Sequence, residues 1–359
     1  MIYLDYQATT PLAPEAREAM LPWLGGAETH DFGNPHSAHR AGRMAAAAVE
    51  VAREQVAALL PPGGRVIFTS GATEALNLAI VGSNARQIVV SAIEHAAVLD
   101  TARALGASTQ ILGVDAEGLV DADAAIPFGT DLVALMQVNN EIGTIQPVAA
   151  VAARAHAAGA LVLCDAVQGA GKLAAPACAD LIAISAHKLY GPKGVGALWL
   201  RDGIALRPII HGGGQEGGLR SGTLSPALCA GFGEAARLCT SLAKTDGEHV
   251  QRLWETAIAA LSGWTLNGSA TQRWHGNLNI RCDGLDVARL MSDCRNLAFS
   301  AGSACASGSG RPSHVLQAIG LSDNQVKSSI RIGFGRYTKN AELVDACAEI
   351  RAAAAAQGV

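Results

Sequence analysis

No apolar run in this 359-residue chain is long enough to span a bilayer. The first residues, Met1-Ile2-Tyr3-Leu4-Asp5-Tyr6, lack the charged start and apolar block of a secretion signal. Together these absences predict a soluble, cytoplasmic product with no membrane contact. Charge is also scarce: 16% of residues are Asp, Glu, Lys or Arg and the net charge is −4. With no basic run beyond a few residues, a nucleic-acid footprint is excluded. Eight cysteines are present, none of them two or three residues from another, so zinc-knuckle and thioredoxin spacings are absent. Most sit in apolar patterns (Val162-Leu163-Cys164, Leu228-Cys229-Ala230, Ala346-Cys347-Ala348) and read as reduced core residues. There is no G-x-x-x-x-G-K-[ST]. The glycine-rich His211-Gly212-Gly213-Gly214-Gln215 does not follow a strand in a G-x-G-x-x-G unit, so nucleotide binding fits poorly.

What is there is hydrophobic, at 50% of the chain. Strand-like runs at 65–69, 87–91, 132–136, 161–165 and 181–185 alternate with alanine-rich helical stretches such as 45–60 and 149–158. That order predicts an α/β fold, a mainly parallel sheet covered on both faces by helices. The run 195–200 follows a short Gly/Pro turn and is expected to enter the sheet antiparallel. After residue 243 the texture changes to a helix near 247–262, short strands at 278–281 and 329–332, and a final helix near 340–356. We therefore expect a large domain over 14–243 and a smaller α+β domain formed by 1–13 and 244–359.

Ligands of open α/β sheets bind beyond the carboxyl ends of the strands, and several ends here are polar. Strand 181–185, apolar on both faces, runs into Ser185-Ala186-His187-Lys188. Holding a buried lysine neutral at pH 7 costs roughly 5 kcal/mol. Making its nitrogen part of an imine avoids that cost, as in lysine Schiff bases with pyridoxal phosphate; an ordinary exposed lysine is the plain alternative. Strand 65–69 runs into Ser70-Gly71-Ala72-Thr73-Glu74, a turn that opens a helix and suits either an anion or simple capping. Glu94-His95 offers an imidazole to stack on a planar ring or act as base, or a structural histidine. Asn139-Asn140 supplies amides, or an ordinary turn. Asp165, with Gln168 three residues on, is a carboxylate leaving an apolar strand and needing a partner such as a protonated pyridine nitrogen. Together the five ends specify a phosphorylated pyridine aldehyde.

Further stretches stand in order: Tyr3-Leu4-Asp5-Tyr6-Gln7-Ala8-Thr9-Thr10-Pro11, Phe32-Gly33-Asn34-Pro35, Asn139-Asn140-Glu141-Ile142-Gly143, Asp165-Ala166-Val167-Gln168, Arg220-Ser221-Gly222-Thr223, Ser303-Ala304-Cys305 and Ser329-Ile330-Arg331. With them the chain resembles, nearly end to end, a cysteine desulfurase of the class V aminotransferase group (fold-type I pyridoxal-phosphate enzymes). It is similar in particular to the desulfurases that serve iron–sulfur cluster assembly. The resemblance implies a large pyridoxal 5'-phosphate-binding domain with a seven-stranded type of sheet. It implies Lys188 as the imine-forming lysine, Asp165 at the pyridine nitrogen, His95 stacked on the ring, and Gln168 and Asn140 at the ring oxygen. Ala72, Thr73, Ser185 and His187 would hold the cofactor at its phosphate side. Thr223 would reach the phosphate of a partner subunit, which implies a homodimer with shared sites. Arg331, with Asn34, would hold the substrate carboxylate, a task suited to an arginine fork. Cys164, Ala186 and Ala301 depart from the commoner residues of the group while leaving its chemical groups in place. The chain also stops soon after the final helix, which leaves the sulfur acceptor unidentified.

Cys305 differs from the other cysteines. Its surroundings, about 301–313, are rich in Gly, Ala and Ser and predict an accessible, mobile loop. Only about 3% of an ordinary thiol is thiolate at pH 7, so a nearby base or cation is expected. The implied reaction takes L-cysteine to L-alanine, with Lys188 removing the α-proton, His95 assisting, and Cys305 accepting the sulfur as a persulfide for delivery to a scaffold or carrier protein. Selenocysteine lysis and aminotransfer on the same cofactor are the rival activities, the latter needing no loop thiol. A catalytically silent partner protein is the non-enzymatic rival, opposed by the set Lys188, Asp165, His95 and Cys305.

Overall fold

The computed structural model describes residues 1–26, 28–29, 31–302 and 312–359. Its centre is a seven-stranded sheet in the order Gly64–Thr69, Gly196–Arg201, Leu181–Ser185, Leu161–Asp165, Leu132–Ala134, Gln87–Ser91 and Ser108–Leu112. Strand Gly196–Arg201 is antiparallel to both of its neighbours, while the other pairs are parallel. This is the mainly parallel α/β sheet the sequence predicts, with 195–200 entering in the expected sense. The alternating side chains divide between two cores: Phe68, Val89, Val133, Val162 and Ile182 on one face, and Ile67, Ile88, Val90, Leu163 and Leu181 on the other. A strand buried on both faces needs apolar residues at every position, which is why these runs read as continuous.

Two elements depart from the sequence reading. Ser108–Leu112 is an edge strand whose first four residues are exposed, so it carries no apolar run to betray it. The helix expected near 247–262 starts at Pro226 and runs unbroken to Ala260. Ser225 caps it by accepting from Leu228 N–H, with proline at the first position where no donor is missed. Interior glycines, each about 1 kcal/mol worse than alanine in a helix, hide this first half. Gly231 and Gly233 let neighbouring chain approach: a Cβ would lie 2.6 Å from Met20 Cγ and 2.7 Å from Ala52 Cα respectively. The first half of the helix packs Phe232 and Ala235 into the sheet's core. Its second half packs Leu253 and Trp254 against Ile280, Ile330, Ile332 and Leu343. We propose the division of the chain at 243/244, which falls within this helix. Beyond it lies a four-stranded antiparallel sheet, Ser300–Ala301, Ser329–Gly333, Asn277–Arg281 and Thr265–Leu266, with the helix Asn340–Ala355. Among the described residues no helix is long and apolar enough to cross a membrane.

Candidate active site

The carboxyl ends of the parallel strands open on a cavity of about 600 Å³. Of the residues the sequence singled out, it brings together Ala72, Thr73, His95, Asn140, Asp165, Gln168, Ser185, His187, Lys188 and Arg331. Asn34 and Thr223 do not line it. The Asn34 side chain instead accepts from His36 N–H at 2.9 Å. Cys305 lies outside the described residues.

Register explains the convergence. Thr69 and Ser185 both pair with Gly196, and Asp165 pairs with Ala183, so these ends share one edge. Gly196 carries no side chain because a Cβ would stand 2.7 Å from the Gly71 backbone. The turn at 70–71 therefore sits close against the sheet and presents the start of the helix Ala72–Gly82 to the cavity. Glu74 in its first turn accepts from Ser70 N–H at 2.8 Å and pairs with Arg220 at 2.7 Å, tying the 220 segment to this corner.

Strand Leu181–Ser185 tightens into a single turn, Ala186–Lys188. One of its carbonyls is gripped from the N-terminal segment: His187 O accepts from Thr10 N at 2.8 Å and Thr10 Oγ1 at 3.0 Å. Lys188 Nζ donates to Ala8 O at 2.9 Å and to Gln7 O. His187, paired with Thr9 Oγ1 at 3.1 Å, is pushed down to about 4, chiefly by burial and then by the Lys188, Lys193 and Lys172 charges. It is neutral at pH 7, and its ring can donate without adding charge.

Asp165 is buried and accepts from Val167 N–H at 3.0 Å. Burial raises its carboxyl pKa, partly offset by His95, the Val167 bond and Lys188, so a cationic ring nitrogen at this carboxylate would favour its ionised form. His95 caps the helix Ala96–Leu105, its Nδ1 accepting from Ala97 N–H at 3.1 Å. An accepting Nδ1 leaves the proton on Nε2, and burial lowers the ring's pKa. Gln168 donates to Gln7 O at 3.0 Å, while its buried Oε1 has no partner among the described residues. Arg331 is 1% exposed; Nη2 pairs with Asp5 Oδ1 at 2.7 Å and Nη1 donates to Asn140 O at 3.0 Å. An amine, a buried carboxylate, hydroxyls at a helix N-terminus and an unpartnered amide oxygen form a donor set that suits a phosphorylated pyridine aldehyde.

Several participants carried no assigned role in the sequence. Asp5, Gln7, Ala8 and Thr9 belong to a recognisable motif, yet their partners in the site are 161 to 326 residues away, so no local spacing reveals them. Glu94, fully buried, accepts from Ser91 Oγ at 2.6 Å and Met136 N–H at 2.9 Å, and burial pushes its carboxyl up to about 8. Lys193 also lines the cavity.

Residues 2–346 match the family model described as aminotransferase class-V. The cysteine desulfurase IscS of Vibrio cholerae serotype O1 is 43% identical over 374 aligned residues, covering 98% of this chain and 92% of that protein. A solved NifS-like protein superposes with a TM-score of 0.89 at 31% identity over 98% of both chains. The structure described as SspA in complex with cysteine superposes at 0.83 with 34% identity, covering 94% of this chain and 100% of that one.

Proposed function

The chain belongs to the class-V aminotransferase family, and from that premise we propose a pyridoxal-phosphate-dependent cysteine desulfurase that converts L-cysteine to L-alanine. The observation that carries this reading is the convergence of Lys188, Asp165 and His95 with Arg331 in one cavity. Lys188 would hold the cofactor covalently and Asp165 would pair with its ring nitrogen. The helix start at Ala72 and Thr73, with Ser185 and His187, would take the phosphate. His95 would lie against the ring, with Gln168 and Asn140 toward the ring oxygen. Thr223, absent from its own chain's cavity, would serve the site of a second copy in a homodimer.

Pyridoxal phosphate, when bound, supplies a sink for the electron pair left as the α-proton of cysteine departs. The chain's residues do the rest. Arg331 would grip the substrate carboxylate; its guanidinium is pre-aimed by Asp5 and the Asn140 carbonyl. Lys188 Nζ, released when the substrate amine takes its place, would take the α-proton, and His95 would assist from Nε2. The Cys305 thiolate bonds to the substrate sulfur as the substrate Cβ–S bond breaks, and the carbon is protonated. L-cysteine and a thiol thus become L-alanine and a persulfide, with no external oxidant. Two flanking contacts favour Cys305 for this role: Ser300–Ala301 pairs beside Arg331, and Ser313 donates to Glu141, next to Asn140. The persulfide would pass to a scaffold or carrier protein for iron–sulfur assembly, in the cytoplasm. Lys188→Ala is expected to abolish both the visible imine band and alanine formation; a variant that still makes alanine at the unaltered rate overturns the reading.

A further inference from the structure

Two residues after Lys188 the backbone takes a conformation that needs explaining. Tyr190 has φ +67°, in the left-handed region where a bulky aromatic residue is an outlier. Such strain persists only where the surroundings over-determine it, and here they do. Tyr190 N–H donates to Thr10 Oγ1 at 2.7 Å, and its carbonyl accepts from Ala13 N–H at 2.9 Å. Its buried ring lies under the Arg336 guanidinium, 4.2 Å from ring centroid to Cζ, with Tyr6 and Tyr337 edge-on. Its hydroxyl accepts from Arg336 N–H at 2.9 Å. Arg336 is itself fixed to Asp246 on the long helix at 2.7 Å, and the turn around it closes through Gly335 and Thr338. Gly335 leaves room for this contact, since a Cβ would fall 2.4 Å from the Tyr190 hydroxyl.

Arg336 stands three residues beyond the strand Ser329–Gly333, which carries Arg331. One side chain therefore joins the turn that presents Lys188 to the strand that presents Arg331. We infer that Tyr190 is a positioning residue which holds the substrate-carboxylate arginine in register with the cofactor lysine. The inference rests on the roles proposed for Lys188 and Arg331. The strained backbone fixes the lysine's turn; the hydroxyl carries that register to the arginine's strand.

The test is a titration of the reconstituted holoenzyme with L-cysteine, read as the change in its visible band, beside the KM and kcat of alanine formation. Tyr190→Phe keeps the ring under the Arg336 guanidinium and loses only the hydroxyl that accepts from Arg336 N–H. It should raise the half-saturating cysteine concentration and KM about five- to tenfold, the scale of one lost buried hydrogen bond, and leave kcat within about twofold. Gly335→Ala presses on the same contact from the other side and should act alike, with the double variant less than additive. A purely structural role would lower the melting temperature and leave cysteine affinity untouched. Wild-type affinity in both variants overturns the inference. An unaltered holoenzyme that titrates normally but makes no alanine overturns the proposed activity alone, and one whose band ignores cysteine overturns both.

Discussion

Replacing Glu94 by glutamine isolates the charge state of a carboxyl sealed beneath the site. The side chain is 0% exposed; one oxygen accepts from Ser91 Oγ and Met136 N–H, and the other has no partner among the described residues. Burial holds its pKa at about 8 against 4.5 for the free group, helped slightly by the Asp165 charge. Below pH 4.5 folded and unfolded chains both carry the proton, and the group's stabilisation is fully present. As the pH rises toward 8 the unfolded chain sheds the proton while the folded one retains it, so stability is lost across that window and levels off above it. The full shift corresponds to about 5 kcal/mol, of which roughly 3–4 kcal/mol falls between pH 5 and 8. Glu94→Gln has nothing to titrate and keeps an acceptor for both donors. Other titrating groups are shared and cancel in the difference. Thermal unfolding of the two holoenzymes should show the variant gaining about 5 °C on the wild type between pH 5 and pH 8, given the unfolding entropy of a chain this size. A difference in melting temperature that stays constant with pH would refute the reasoning, because it would mean Glu94 is already ionised in the fold.

Arg331→Lys keeps the charge but gives up the fork that spans Asp5 and the Asn140 carbonyl. Losing one charge-assisted hydrogen bond of about 1.5–3 kcal/mol should raise KM for cysteine roughly 10–100-fold, measured as alanine release; an unchanged KM would remove Arg331 from substrate binding. Gly196→Ala would set a Cβ 2.7 Å from Gly71 and 2.8 Å from Ile184 O. It should cost about 1–3 kcal/mol in denaturant unfolding and weaken cofactor retention in dialysis, since the turn at 70–71 must move; full retention would show that this turn does not hold the phosphate.

The parts of this site that were readable in the sequence are those where a buried strand ends in a polar residue. Asp165, Ser185, His187 and Lys188 stand out because the residues before them are apolar at every position. Cavity-lining Gln7, Ala8 and Thr9 have no such frame. They are placed by hydrogen bonds to Lys188, Gln168 and His187, far along the chain, and pairing at that distance leaves no period to read. Fold elements divide similarly. Parallel strands declare themselves through hydrophobic runs, whereas the exposed edge Ser108–Leu112 does not. The front of the long helix was masked by Gly231 and Gly233, which lower helix propensity locally and are repaid by close packing on Met20 and Ala52. Asn34 and Thr223, assigned by resemblance and not by a polar strand end, do not line the cavity of this chain.

Incubating the holoenzyme with ³⁵S-labelled L-cysteine and mapping the label by peptide mass spectrometry tests the central claim most directly. The account predicts one persulfide sulfur on Cys305, formed together with one equivalent of L-alanine, and neither product in Cys305→Ser, which should keep its visible imine band. Alanine formed at the wild-type rate by Cys305→Ser, or label on another cysteine with Cys305 unmodified, would contradict it.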